Sequence, residues 1–185
     1  MLHEVKELFY RDRLQVNWRR FSLEQVNSKK EPDWKIWEQD ESYLSRGMPA
    51  FRAAEAARRQ GDVLFGRMHL AILKARFEEN KNIADKNILK QLAVVAGLDT
   101  VRWEKDYADS AILQPLAQDH ANTVQSYGTF GVPTIFPGNG HGFYLKLTEI
   151  PHGQEALETF ETVLKTMTRH PYIQELKQPN YPKKD

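Results

Sequence analysis

The 185-residue sequence contains no cysteine. That absence excludes disulfides, thiolate metal sites and cysteine nucleophiles, and by itself does not identify the redox state of the compartment. The chain also has no run of 18 apolar residues, so no membrane-spanning helix is expected. Its opening residues, Met1-Leu2-His3-Glu4-Val5-Lys6, hold no apolar signal-peptide core, and the expected location is cytoplasmic. An excess of charge is missing too. The 26 basic and 25 acidic residues leave a net charge of +1, which supplies no general pull toward nucleic acid or an anionic membrane. Lys29-Lys30, Arg58-Arg59 and Lys183-Lys184 are isolated basic pairs of the kind any solvated surface carries. Neither nucleic acid nor membrane is expected as a partner.

Metal and phosphate motifs are likewise lacking. The six histidines (His3, His69, His120, His141, His152 and His170) are scattered, without HExxH spacing, a two-His-one-carboxylate set or an Asp-rich calcium loop. No metal ligand is assigned. Gly138-Asn139-Gly140-His141-Gly142 is glycine-rich but lacks the Lys-Ser/Thr of a phosphate loop, and turn chemistry explains it. Ser22 and Ser126 lack the Gly-x-Ser-x-Gly setting of an activated serine.

What is present suffices for a folded core. Hydrophobic residues make up 41% and aromatic residues 11% of a length that fits one domain, or one domain with an inserted subdomain. Leu2, Val5, Leu8 and Phe9 keep helical spacing, so residues 2–11 read as a short helix without a capping residue before it. Leu14, Val16, Trp18 and Arg20 alternate with Gln15, Asn17, Arg19 and Phe21, which argues for a strand over 14–21. A polar loop with Trp34 and Trp37 follows; these rings, with Met48 and Phe51, fit core packing better than a substrate groove.

Residues 48–127 then read as helices throughout. Pro49 stands in a first turn, Asp85 and Asp99 are cap candidates, and Gly97 is a candidate terminator. Beyond them, Thr134-Ile135-Phe136 and Phe143 to Leu147 read as two strands joined by Pro137-Gly138-Asn139-Gly140, and 153–168 as an amphipathic helix. The sheet is expected from residues near 14–21, 133–137 and 142–147, and the fold class is α/β.

The most informative stretch is Tyr127-Gly128-Thr129-Phe130-Gly131-Val132-Pro133-Thr134-Ile135-Phe136. Proline cannot donate to a ladder, so Pro133 belongs at the head of its strand, and a cis Val132–Pro133 bond is expected there. The stretch resembles the cis-proline loop of the thioredoxin superfamily, most closely that of its DsbA-like oxidoreductases. Val16-Asn17-Trp18-Arg19-Arg20-Phe21-Ser22-Leu23 resembles that family's second core strand. Ile150-Pro151-His152-Gly153-Gln154-Glu155-Ala156 and His170-Pro171-Tyr172-Ile173-Gln174-Glu175-Leu176-Lys177 resemble the C-terminal end of its actinobacterial thiol-dependent members.

The resemblance covers essentially the whole chain. It implies a thioredoxin-like domain over 1–47 and 128–185, with an all-helical insertion subdomain over 48–127. It also implies a substrate-binding loop of Val132, Pro133 and Thr134 that holds a protein or small-molecule thiol or disulfide, with a low-molecular-weight thiol as the one cofactor class it suggests. The family's first core strand and its Cys-x-x-Cys segment have no counterpart in the sequence. Residues 2–11 look like the second half of the helix that follows them, so a strand and half a helix, roughly 20–25 residues by ordinary element lengths, are expected to be missing. No catalytic residue is therefore assigned. Three functions stay open: a thiol–disulfide oxidoreductase seen without its cysteine segment, a glutathione-dependent isomerase or transferase of the same fold (as in 2-hydroxychromene-2-carboxylate isomerase) that uses serine in place of the first cysteine, and a non-catalytic binding protein.

Dithiol exchange needs a thiolate, and the sequence supplies none. The purified 185-residue chain is expected to leave the rate of insulin reduction by dithiothreitol unchanged; acceleration above the protein-free control would contradict this.

Overall fold

A computed structural model of the protein describes residues 1–40, 42–138 and 141–178, without the side chain of Asp12. Its contacts divide the chain into two compact units, one made of 1–18 with 131–185 and the other of 19–130. Residues 19–47, expected with the thioredoxin-like domain, group by their contacts with the helices.

In the first unit, helix α1 (Leu2–Val5) runs on into a π turn, Lys6–Tyr10, and a 3-10 turn, Arg11–Arg13. The π turn ends where Arg11 takes φ +45°, outside the helical region. Helix α8 (Gly153–Arg169) lays Ala156 and Phe160 against Val5, with Leu2, Tyr10, Leu14, Leu157 and Leu164 packed around them. Tyr10 joins this contact twice. Its ring meets Phe160 edge-on at 6.1 Å, and its hydroxyl donates to Glu161 Oε1 at 2.5 Å.

Among the described residues the sheet of this unit has two strands, β1 (Thr134–Ile135) and β2 (Phe143–Tyr144), paired antiparallel with Thr134 opposite Tyr144 and Ile135 opposite Phe143. The expected hairpin is present; Asn139 and Gly140 of its turn lie outside the described residues. The expected strand over 14–21 is not. Leu14, Val16, Trp18 and Arg20 are half-buried and Gln15, Asn17 and Arg19 exposed, so the period of two is real, but the segment forms no ladder. A strand exists only when its N–H and C=O groups find a partner strand. Arg20 instead gives its backbone N–H to a carboxylate of a helix.

The second unit holds α2 (Leu23–Val26), a 3-10 turn at Ile36–Glu38, and then α3 (Met48–Arg58), α4 (Asp62–Phe77), α5 (Lys86–Val95) and α6 (Thr100–Ala108). A 3-10 turn, Ser110–Leu113, leads into α7 (Gln114–Tyr127). The caps follow the sequence reading. The Asp85 side chain accepts from the N–H of Asn87 at 2.8 Å and Asp99 from that of Arg102 at 3.0 Å, while Gly97 closes α5 at φ +81°.

Alanines let α3 approach its neighbours closely: Ala53, Ala56 and Ala57 are fully buried. Trp103 is fully buried too, and its indole N–H donates to Ala53 O at 3.1 Å, so the ring's one polar atom is satisfied. Ile36 and Met48 are part of this core, with Trp34, Trp37 and Phe51 packed on it.

The unit's polar centre is Arg20. Its Nε and Nη2 reach the two carboxylate oxygens of Glu55 at 2.7 and 2.6 Å, and its Nη1 reaches Asp119 Oδ2 at 2.8 Å. All three side chains are largely buried. The hydrogen bonds to Glu55, and then those to Asp119, raise the Arg20 pKa above its ordinary value against the cost of burial. Nearby, the Arg58 guanidinium carbon sits 3.4 Å from the Phe65 ring centroid, and that ring stacks on His69 at 5.5 Å. Burial first, and the Arg58 charge second, push the His69 pKa down to about 4.

Removing one partner of a buried ion pair strands the other, at a cost of about 3–5 kcal/mol. Arg20→Met should lower the urea-unfolding free energy by that order, and an unchanged midpoint would show the cluster to be dispensable. The His69 shift fixes a second outcome. A folded-state pKa below the unfolded value of 6.5 leaves stability intact at neutral pH and removes it as the unfolded chain takes up a proton that the folded chain refuses. The loss develops between pH 6.5 and about 4 and amounts to roughly 3 kcal/mol at full value. His69→Leu should therefore gain on the wild-type protein, in urea titrations, as pH falls through this window; a difference constant with pH would refute the assignment.

Candidate functional site

The structure places Val132, Pro133 and Thr134 where the sequence put them, at the head of β1. The Val132–Pro133 peptide bond is cis. Three local contacts fix the loop. The Thr134 hydroxyl donates to the carbonyl of Gly131 at 2.7 Å and closes a short turn over the proline. The N–H of Leu145 donates to Pro133 O at 3.1 Å, which extends the hairpin ladder one step beyond β1. The Tyr144 ring lies over Gly131, where a Cβ would sit 3.2 Å from its Cε2. Glycine is needed there for closeness rather than for an unusual φ. At the far end of the hairpin the Phe136 ring covers Gly142 so closely that a Cβ would fall 2.3 Å from Cε1, a separation no side chain tolerates.

With Pro133 O and the Thr134 hydroxyl engaged, Val132 is left as the open position. Among the described residues its backbone N–H and C=O make no hydrogen bond, and the residue is 40% exposed. Phe136 and Tyr144 on the same hairpin are exposed to a similar degree, whereas Phe143 is buried. An open strand head with free backbone groups beside apolar surface is suited to pairing with an extended chain.

A second feature of this unit escaped the sequence reading. The Glu4 carboxylate accepts from the N–H of Gly153 at 2.8 Å through one oxygen and meets His152 Nδ1 at 3.0 Å through the other. It caps the N-terminus of α8, a position where a negative charge meets unpaired N–H groups and the positive end of the helix dipole. The backbone hydrogen bond from Gly153, followed by that of His152, holds the Glu4 pKa below its ordinary value. Its partners are about 150 residues away in sequence, so no local spacing announces it.

Among the described residues no group of three or more His, Asp or Glu side chains is placed to hold a metal ion, and no helix is long and apolar enough to cross a membrane.

The comparison with known families decides the relationship. The model of the DSBA-like thioredoxin domain matches residues 1–165. The chain belongs to this family. Its α/β fold is therefore the DSBA-like thioredoxin fold, helix-rich with a small two-stranded sheet among the described residues. The family is one of thiol–disulfide oxidoreductase type. The uncharacterized protein Rv2286c of Mycobacterium tuberculosis is 29% identical over 170 residues, which cover 90% of this chain and 70% of that protein. None of the 185 residues is a cysteine.

Proposed function

We propose that this chain is a substrate-holding member of the thiol–disulfide oxidoreductase class, in which Val132, Pro133 and Thr134 grip an extended thiol- or disulfide-bearing segment by backbone pairing. The substrate is a polypeptide segment or a low-molecular-weight thiol in its disulfide form. The exchange itself runs through a mixed disulfide and needs a thiolate; these 185 residues contain none, so their part is binding and alignment. The observation that carries the reading is Val132. Among the described residues its N–H and C=O have no partner at the head of β1, while the contacts on either side, Thr134 to Gly131 and Leu145 to Pro133, fix the backbone that presents them. Preorganised backbone groups gain affinity because little entropy remains to be lost on binding.

The test is an NMR titration of the 15N-labelled full chain with an unstructured peptide carrying one disulfide-blocked cysteine. Saturable shifts centred on the amides of Gly131, Val132 and Thr134 are expected. Gly131→Val, which sets a branched side chain against the Tyr144 ring, should weaken binding by about tenfold, roughly 1.4 kcal/mol. Shifts confined to other parts of the chain, or full affinity in the variant, would overturn the proposal.

A further inference from the structure

Helix α4 carries two apolar rows. Phe65, Met68, Ile72 and Ala75, spaced three, four and three residues apart, are buried, and the last three belong to the core of the helical unit. Val63, Gly66, Leu70, Leu73 and Phe77 repeat the same spacing, three, four, three and four residues apart. At 3.6 residues per turn this second row is a stripe about 80° wide on the opposite side of the helix. Val63 and Phe77 are each 70% exposed and Leu73 37%, while Leu70 is half-buried.

Gly66 lies exposed within the outer stripe, and a Cβ built on it would meet nothing within 4 Å. Alanine would fit there and would favour the helix by about 1 kcal/mol, so the glycine does not serve α4 itself. What it does is lower the stripe between Val63 and Leu70, where a second backbone can then come close. The spacing is that of the a and d positions of a heptad, the seam along which one helix packs on another. The flanks of the stripe are basic. Arg67 and Lys74 run along one side and Arg76 along the other, all exposed. No Asp or Glu occurs from Val63 to Phe77; Asp62 and Glu78 stand just beyond the two ends.

We infer that the outer face of α4 docks an amphipathic helix of a partner protein whose apolar seam is flanked by carboxylates. The partner's apolar residues pack on Val63, Leu70, Leu73 and Phe77 around Gly66, and its carboxylates pair with Arg67, Lys74 and Arg76. A second copy of this chain fits less well. Antiparallel packing of two such stripes sets Arg67 of one against Lys74 of the other, and parallel packing offers these cations no carboxylate. A lipid surface also fits less well, because a bilayer takes up the broad apolar side of a strongly basic helix, whereas this stripe is narrow and the chain has a net charge of +1. The inference does not depend on the proposal for Val132, because every residue it uses lies in α4.

The probe is a fluorescein-labelled synthetic helix of about three heptads with Leu at a and d and Glu at e and g, titrated against the full chain and followed by fluorescence anisotropy. Its counterpart carries Lys in place of Glu; like charges at e and g keep either peptide from pairing with itself. Saturable binding of the Glu peptide is expected, with the Lys peptide about tenfold weaker. Phe77 is largely exposed, so Phe77→Gln keeps the fold, which an unchanged thermal melt verifies, and should weaken the Glu peptide by a similar factor. The double variant Arg67→Glu, Lys74→Glu should reverse the preference between the two peptides. Absence of saturation, equal affinity for both peptides, undiminished binding in Phe77→Gln, or an unchanged preference in the double variant would each overturn the inference. So would dimerisation of the full chain in sedimentation, or binding to phosphatidylserine vesicles, if Phe77→Gln abolished it, since the face would then belong to a second copy or to lipid.

Discussion

One guanidinium organises the helical unit. Arg20 joins Glu55 on α3 to Asp119 on α7, and Asp119 also takes the backbone N–H of Arg20 itself. Three otherwise separate pieces of chain therefore share one charge cluster. Their neighbours follow from it. Phe21 packs against the ring of His120, and the N–H of Ser22 donates to His120 Nδ1 at 3.2 Å. That bond requires an unprotonated Nδ1, and burial, with a smaller contribution from Lys35, holds the His120 pKa below its ordinary value to match. A buried cluster of this kind adds little net stability over an apolar one of equal volume. What it does is define which chain segment meets which helix, because any other pairing leaves a charge buried alone.

The other unit solves a similar problem with less burial. A helix as long as α8 exposes four N–H groups at its start, and here the carboxylate of Glu4 serves that end from α1. The same two elements meet through Val5, Ala156 and Phe160. The small hairpin of the same unit depends on close approach instead. Gly131 under Tyr144 and Gly142 under Phe136 allow two rings to lie flat on the backbone, and this leaves the backbone of Val132 presented rather than folded away.

Helices with local signals were legible in the sequence: Asp85 and Asp99 as caps, Gly97 as a terminator and the apolar stripe of α8 all act within a few residues of themselves. The loop at 131–134 was legible because proline before a short β run has few other uses. The strand assigned to 14–21 was half right. Alternating burial of Leu14, Val16 and Trp18 is written in the side chains, whereas pairing depends on a partner strand that no local pattern encodes. The Arg20 cluster and the Glu4 cap stayed hidden because their partners lie 35, 99 and 149 residues away.

The separations within the two units bear on how the chain assembles as it is synthesised. The helical unit is one continuous stretch, 19–130, and all its cluster partners have been made once Asp119 has been added. The hairpin-bearing unit is discontinuous: Glu4 and Tyr10 wait for Gly153 and Glu161. On a ribosome the helices can close their core first, since contiguous units fold as they emerge, while α1 stays uncovered until α8 has been translated. Val5, fully buried in the finished protein, is thus an early-synthesised apolar residue with a late-arriving partner. Any pause between completion of the helical unit and synthesis of α8 would lengthen its exposure.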